Sequence, residues 1–244
     1  MRLDKFISDA AAYSRSEIRK LVRCHAVTVN GQTVSSADFQ VRETDEVRLN
    51  RKLIRYRKYI YLMLNKPAGY LCATEDKHDP VVVDLVPEEL KHFQVFPVGR
   101  LDKDTEGLLL LTNDGQFDHA LMSPKRKIMK RYYAELDRPA EPEDIETFRA
   151  GMSFQDFTVQ PAVLEITADP KKVYIEIAEG KFHQVKRMCQ RIGKEVIYLK
   201  RVKIGNLILD NVLGLGEMRE LTASELQLLQ APASPGKEAP VEDN

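Results

Sequence analysis

Two short apolar runs limit what this chain can fold into. Tyr59-Ile60-Tyr61-Leu62-Met63-Leu64-Asn65 is rich in strand formers and is stopped by Lys66-Pro67-Ala68-Gly69. Leu108-Leu109-Leu110-Leu111-Thr112 is stopped by the tight-turn signal Asn113-Asp114-Gly115. Runs of this length, ended by turn residues, predict strands buried inside a sheet. Residues 131–136 and 173–177 alternate or cluster as further strands, whereas residues 116–122, 141–151 and 184–192 carry helical patterns. Helices and strands mix without a regular β-α-β beat, which favours an α+β fold over a doubly wound one.

The segment ahead of these runs has a different character. Residues 1–60 hold thirteen Lys and Arg against seven acids, a charge of +6; the rest of the chain holds 24 against 30, a charge of −6. A basic front on an acidic body suggests that a polyanion is gripped at one end through counterion release, although a merely solvated basic surface gives the same composition. Residues 2–9 and 14–24 read as short helices, with Leu3, Phe6 and Ile7, then Ile18, Leu21 and Val22, at helical spacing. Ser14 followed by Glu17 three residues on predicts a capping box that starts the second helix. Arg15, Arg19 and Arg23 then share one face at i, i+4 spacing, a set of like charges that calls for an anion. With Arg2 and Lys20 they are the candidate phosphate contacts of this module. Residues 27–34 predict a hairpin turning on Asn30-Gly31, and residues 45–49 a third strand. The charged, aperiodic residues 51–58 read as a linker, so the expected division is a helix-helix-hairpin domain at 1–57 and a larger domain at 58–230. The proline-rich, small and polar residues 231–244 read as a flexible tail.

Composition narrows the function classes. Hydrophobic residues at 43% and charged residues at 30% are ordinary for a folded globular chain. Nothing approaches the roughly 20 apolar residues that span a bilayer, and the first residues lack a signal-peptide core, so the expected location is the cytoplasm, with no membrane partner. Cys24, Cys72 and Cys189 are scattered and odd in number, which argues against a disulfide framework or zinc ribbon and suggests buried structural thiols. The five histidines show no metal-ligand spacing, and no nucleotide-binding glycine loop is present, so neither metal nor cofactor is expected.

Chemistry concentrates around Gly99-Arg100-Leu101-Asp102-Lys103-Asp104-Thr105-Glu106-Gly107-Leu108. Taken alone, Asp102 is one acid in a polar turn, and Asp104 and Glu106 offer themselves equally. The whole segment, however, resembles the catalytic signature of the pseudouridine synthases. Three further segments resemble the same family in the same order: Leu64-Asn65-Lys66-Pro67-Ala68-Gly69-Tyr70, Lys130-Arg131-Tyr132, and Glu179-Gly180-Lys181-Phe182-His183-Gln184-Val185-Lys186-Arg187-Met188. At the front, Met1-Arg2-Leu3-Asp4-Lys5-Phe6, Ser14-Arg15-Ser16-Glu17 and Val27-Thr28-Val29-Asn30-Gly31 resemble the small RNA-binding S4 domain. The order of parts resembles the RsuA branch, whose namesake modifies small-subunit ribosomal RNA.

The resemblance implies a mixed, mostly antiparallel sheet flanked by helices with a central cleft. It implies Asp102 as nucleophile, Tyr132 as the active-site tyrosine and Lys186 as the active-site basic residue, acting on ribosomal RNA or a ribosome-assembly particle as a monomer, without cofactor. Breaking the C1′–N1 bond and remaking it to C5 requires that the freed uracil turn without escaping, hence a closed pocket. Desolvation there would raise a carboxylate's pKa unless a cation such as Lys186 favoured the charged form. Tyr132 offers a ring face for the base, though the adjacent Tyr133 faces the other way in a strand and only the motif selects between them. Lys186 and Arg187 lie about 100° apart on a helix, so one can face the site while the other meets phosphate. Arg100 and Lys103 flank the nucleophile and can meet the backbone of an extruded nucleotide or pair with nearby acids, and Arg100 can fill the gap that the base leaves. Relatives with this layout act on small- or large-subunit RNA, and the His183–Met188 segment tilts the reading to the small subunit. Two alternatives from other classes are a noncatalytic RNA-binding or ribosome-assembly protein, whose mark would be a substituted nucleophile, and a glycosidase using Asp102 with Asp104.

Overall fold

The computed structural model describes residues 1–123 and 126–230; the tail read at 231–244 lies outside the described residues. Its contacts separate two compact units, residues 1–60 together with 86–96, and residues 61–85 together with the chain from Pro97 onward.

The first unit opens with α1 (Leu3–Ala10) and α2 (Arg15–Arg23), followed by β1 (Val27–Val29), β2 (Gln32–Thr33), β3 (Val47–Leu49) and β4 (Lys52–Ile54). The capping box is formed: Glu17 N donates to Ser14 Oγ, and Ser14 N donates to Glu17 Oε2. Asn30 and Gly31 both take positive φ, 51° and 79°, which lets β1 turn tightly into β2. Leu3, Phe6, Ile7, Ile18 and Val22 bury the helices against Val27 and Val47 of the antiparallel sheet, ordered β2-β1-β3-β4. The supposed linker contains β4, which pairs Ile54 with Val47 through a left-handed turn at Asn50 and Arg51. Sequence pattern missed it because only Ile54 is buried, so no alternation shows. Residues 86–96 return to this unit with no local signal, bringing Phe93 under the Arg57 guanidinium at 5.2 Å.

The second unit carries β5 (Tyr61–Lys66), β6 (Phe96–Val98), β7 (Glu106–Thr112), α3 (Gly115–Met122), β8 (Lys130–Leu136), α4 (Pro142–Ala150), β9 (Met152–Ser153), β10 (Thr158–Val159), β11 (Val163–Ile166), β12 (Lys172–Ile177), α5 (Gln184–Arg191), β13 (Val196–Ile204), β14 (Leu207–Ile208), β15 (Met218–Glu220) and α6 (Ala223–Gln230). Among the described residues, nine strands join in one sheet along the path β11-β12-β8-β13-β7-β5-β15, with β6 on β7 and β14 on β13. β13 runs parallel to β7, and the other neighbours on the path are antiparallel, giving the mixed, mostly antiparallel sheet that the family resemblance implied.

The two apolar runs are central neighbours, Leu62 opposite Leu111 and Leu64 opposite Leu109. Leu62, Met63, Leu64 and Leu108 to Leu111 are at most 1% exposed, so both faces of these strands are covered. That is why their sequence is continuously apolar rather than alternating. One face packs Met63, Leu108 and Leu110 against Leu121, Leu207 and Leu229. β13, the strand that joins the halves, has no such signature because Tyr198, Lys200, Arg201 and Lys203 interrupt it. The expectation of three buried thiols is corrected: Cys189 is buried, Cys72 half-buried, and Cys24 exposed where it caps the end of α2. Among the described residues, no helix is long and apolar enough to cross a membrane.

The parallel junction depends on Gly107, at φ +100°, where a Cβ would sit 2.3 Å from the Arg201 carbonyl oxygen. Gly107→Ala is expected to destabilise the protein by roughly 2–4 kcal/mol through positive-φ strain and backbone clash together. Urea unfolding at constant m-value checks this, and an unchanged midpoint contradicts it.

Candidate active site

A cleft of ≈ 420 Å³ opens in the second unit between the segment before β7 and the turn that starts α5. The loop that carries Asp102, residues 100–105, is fixed by its main chain. Leu101 N donates to the Cys72 thiol at 3.2 Å, Gly69 N to the Lys103 carbonyl at 2.7 Å, and Thr105 N to the Asp102 carbonyl at 3.1 Å. Below the loop lies Lys66, fully buried at the end of β5. Its ammonium donates to the carbonyls of Pro67, Asp102, Lys103 and Thr105 at 2.9–3.2 Å. Burial lowers the Lys66 pKa, against the pull of Cys72, Asp104, Glu106 and Asp102.

The Asp102 side chain is 27% exposed at the cleft. Lys186 Nζ stands 3.6 Å from its Oδ2, and His183 Nε2 stands 3.7 Å from its Oδ1. Lys186 is held more tightly by Asp104, with Nζ donating at 2.5 and 2.7 Å. Burial pushes the Asp104 carboxyl up, but the hydrogen bond and charge of Lys186 outweigh it and leave its pKa below the ordinary value. Lys186 therefore bridges two carboxylates. Tyr132, only 7% exposed, lines the cleft with Ile177 and Leu199. Strand alternation sends Tyr133 to the opposite face, where its ring meets Tyr174 and Tyr198 and its hydroxyl donates to Glu135.

The other sequence candidates divide. Arg100 and Lys103 line the cleft, with Lys103 paired to Asp79 at 2.7 Å. Arg187 does not line it; its guanidinium is bidentate on Asp156 and lies over the rings of Phe154 and Phe157. In the first unit, Arg2, Arg19 and Arg23 surround a separate hollow with Ser35 and Ser36, and Arg2 is paired with Asp4. Arg15 and Lys20 are exposed on α2 outside that hollow.

Several residues were missed. Lys66 and His183 stood inside quoted motifs with no role attached, and no sequence signal distinguishes a buried lysine from a surface one. Lys130 and Arg201 lie buried beside Tyr132 on the same face of the sheet, the strand register pairing Tyr132 with Arg201. Arg201 Nε donates to the Leu108 carbonyl at 2.8 Å. Burial, and then the Arg201 charge, depress the Lys130 pKa to about 8, with Glu179 opposing.

Comparison with known proteins agrees with this architecture. The RNA pseudouridylate synthase family matches residues 60–191, and the S4 domain matches residues 1–47. The chain belongs to the RNA pseudouridylate synthase family and is an isomerase of that class. Among its relatives, YtzG of Bacillus subtilis, an uncharacterized RNA pseudouridine synthase, is 44% identical over 95% of this chain and 99% of its own length. The ribosomal small subunit pseudouridine synthase A of Escherichia coli is 39% identical over 93% of this chain and 98% of its own. A solved structure of a pseudouridylate synthase superposes with a TM-score of 0.67 at 38% identity, covering 94% of this chain and 99% of the other.

The folded protein holds Lys130 less protonated than the unfolded chain does between about pH 8 and the ordinary lysine value of 10.5. Unfolding takes up that proton, so Lys130 makes stability rise with pH across this window. Unfolding curves for wild type and Lys130→Met are expected to differ in that rise by about 1–3 kcal/mol. Parallel pH profiles would remove the assignment.

Proposed function

We propose that this protein isomerises a specific uridine of small-subunit ribosomal RNA to pseudouridine, with Asp102 as the nucleophile. One observation carries the reading. A carboxylate with an ammonium and an imidazole within 4 Å opens onto a cleft lined by a buried tyrosine, on a chain whose near-full-length relatives include ribosomal small subunit pseudouridine synthases.

The target uridine leaves its stack to enter the cleft, at a cost of a few kcal/mol that is smallest in unpaired RNA. Asp102 then acts on the extruded nucleotide. The C1′–N1 bond breaks, the uracil turns against the Tyr132 ring, C1′ bonds to C5, the C5 proton passes to solvent and N1 gains one. Atoms balance, as an isomerisation requires. Asp104 anchors the Lys186 ammonium from the solvent side, 3.6 Å from the Asp102 carboxylate. Arg100 and Lys103, at the cleft mouth, meet the backbone of the extruded nucleotide.

The front unit, with the linker through residue 57, serves as the RNA grip, and residues 58–230 supply the chemistry. Arg2, Arg19 and Arg23 form an anion-binding hollow, with Arg15 and Lys20 adding charge along α2. Arg187 supports the turn through Asp156 rather than the cleft itself. The protein works in the cytoplasm as a monomer on ribosomal RNA or an assembling particle.

Mapping pseudouridines in ribosomal RNA from cells lacking the protein tests this. One small-subunit site is expected to vanish, to return with the wild type and to stay absent with Asp102→Asn, whose rate falls at least ~10³-fold. A site lost from large-subunit RNA instead would move the substrate; no lost site would sink the reading.

Replacing both Arg19 and Arg23 with Ala is expected to weaken RNA binding and to flatten the salt slope by roughly 1 for each phosphate no longer neutralised. Unchanged binding across a salt titration would remove these arginines from the interface.

A further inference from the structure

At the cleft rim, the turn before α5 presents Phe182 to solvent. It is 72% exposed, and no other Phe or Tyr among the described residues is as exposed. Burying a phenylalanine gains roughly 1.5–3 kcal/mol, so an exposed ring held at a cleft rim offers that gain to whatever covers it. The turn that carries it is tied by hydrogen bonds. Lys181 N donates to Gln184 Oε1 at 3.0 Å, Gln184 Nε2 to Glu179 Oε1 at 3.2 Å, and Gln160 N to the same Glu179 oxygen at 2.7 Å. The Lys181 ammonium is bonded to the Thr158 carbonyl.

The ring is also oriented. Phe182 stacks on the His183 imidazole with centroids 3.9 Å apart and planes 17° from parallel. His183 adopts a left-handed backbone, φ +50°, at the helix start, an uncommon conformation for a non-glycine residue. Its Nε2 reaches to 3.7 Å from Asp102 Oδ1. The histidine covers one face of Phe182 and leaves the other open, so carboxylate, imidazole and phenyl follow one another from the cleft to its rim.

Resting on the function proposed above, we infer that Phe182, backed by His183, is a stacking platform for the nucleobase that flanks the extruded uridine. Extrusion strips that neighbour of a stacking face. A flat, rigid, apolar ring beside the reacting carboxylate restores one, and such stacking accepts any base. The platform positions RNA; it is not part of the bond-making machinery.

The chain contains no tryptophan, so Phe182→Trp places a single indole, which can be excited apart from the tyrosines, at the rim. The probe is a small-subunit ribosomal RNA transcript labelled with tritium at uridine C5, whose release counts turnovers. Phe182→Ala is expected to raise KM about 5- to 150-fold, the equivalent of one lost base stack, with kcat within about threefold of wild type. Phe182→Tyr and Phe182→Trp are expected to restore KM, and the indole emission of Phe182→Trp to be quenched as RNA saturates. Ile197→Trp, at another exposed position on β13, is expected to stay unquenched. An unchanged KM in Phe182→Ala, or unquenched emission of Phe182→Trp at saturating RNA, overturns the platform. Absence of tritium release by the wild type overturns the small-subunit reading instead, and the same Phe182→Trp titration with a large-subunit ribosomal RNA transcript that does release tritium then decides the platform.

Discussion

The loop that carries Asp102 hangs on one buried ammonium. Lys66 Nζ has three protons and four main-chain carbonyls within hydrogen-bond distance, three of them in residues 102–105. An ammonium in an apolar interior is tolerable only when dipoles or opposite charges surround it, and here carbonyl dipoles do so. The arrangement ties the end of β5 to the segment entering β7. These strands are themselves zipped by the leucine pairs 62–111 and 64–109. The position of the Asp102 carboxylate is thus inherited from the packing of the sheet rather than from the local preference of a polar turn.

This inheritance explains what the sequence revealed. Both apolar runs announced β5 and β7 because strands buried on two faces have no polar positions to hide them. The capping box of Ser14 and Glu17, the Asn30-Gly31 hairpin and the alternation in β8 were legible because each depends on neighbours a few residues away. β13 and β4 were not. β13 takes its place through partners as remote as Glu106 and Lys130, and its lysines and Arg201 find room at a junction that exists only in three dimensions. The return of residues 86–96 to the first unit is equally nonlocal. Motif resemblance named Asp102, Tyr132 and Lys186, and these three line one cleft. The burial of Lys66, the approach of His183 to Asp102 and the exposure of Phe182 needed coordinates, because burial and ring orientation leave no mark on residue type.

The three acids that a local reading left equivalent are separated by their surroundings. Glu106 begins β7 and accepts the Tyr198 hydroxyl at 2.7 Å. Asp104 is 72% exposed and grips Lys186, whereas Asp102 is 27% exposed and faces the same lysine at 3.6 Å. A carboxylate already engaged at 2.5 Å would have to break that pair to attack anything. Asp102 is close enough to feel the positive charge and free enough to move. The same geometry weakens a paired-acid reading, since Asp104 is tied to the ammonium between them rather than to the cleft.

Charge beside Tyr132 adds a second layer. Tyr132 stands in register between Ile175 of β12 and Arg201 of β13, and Lys130 lies two residues along the same face of β8. Burial first, and then the neighbouring Arg201, make Lys130 lose its proton more readily. The Arg201 guanidinium is engaged with the carbonyl of Leu108 on β7, the strand that follows the loop carrying Asp102. The floor and the loop therefore meet at the β7–β13 junction. There Gly107 is what lets the two backbones approach, and a motif position without a functional group becomes as necessary to the site as the carboxylate five residues before it.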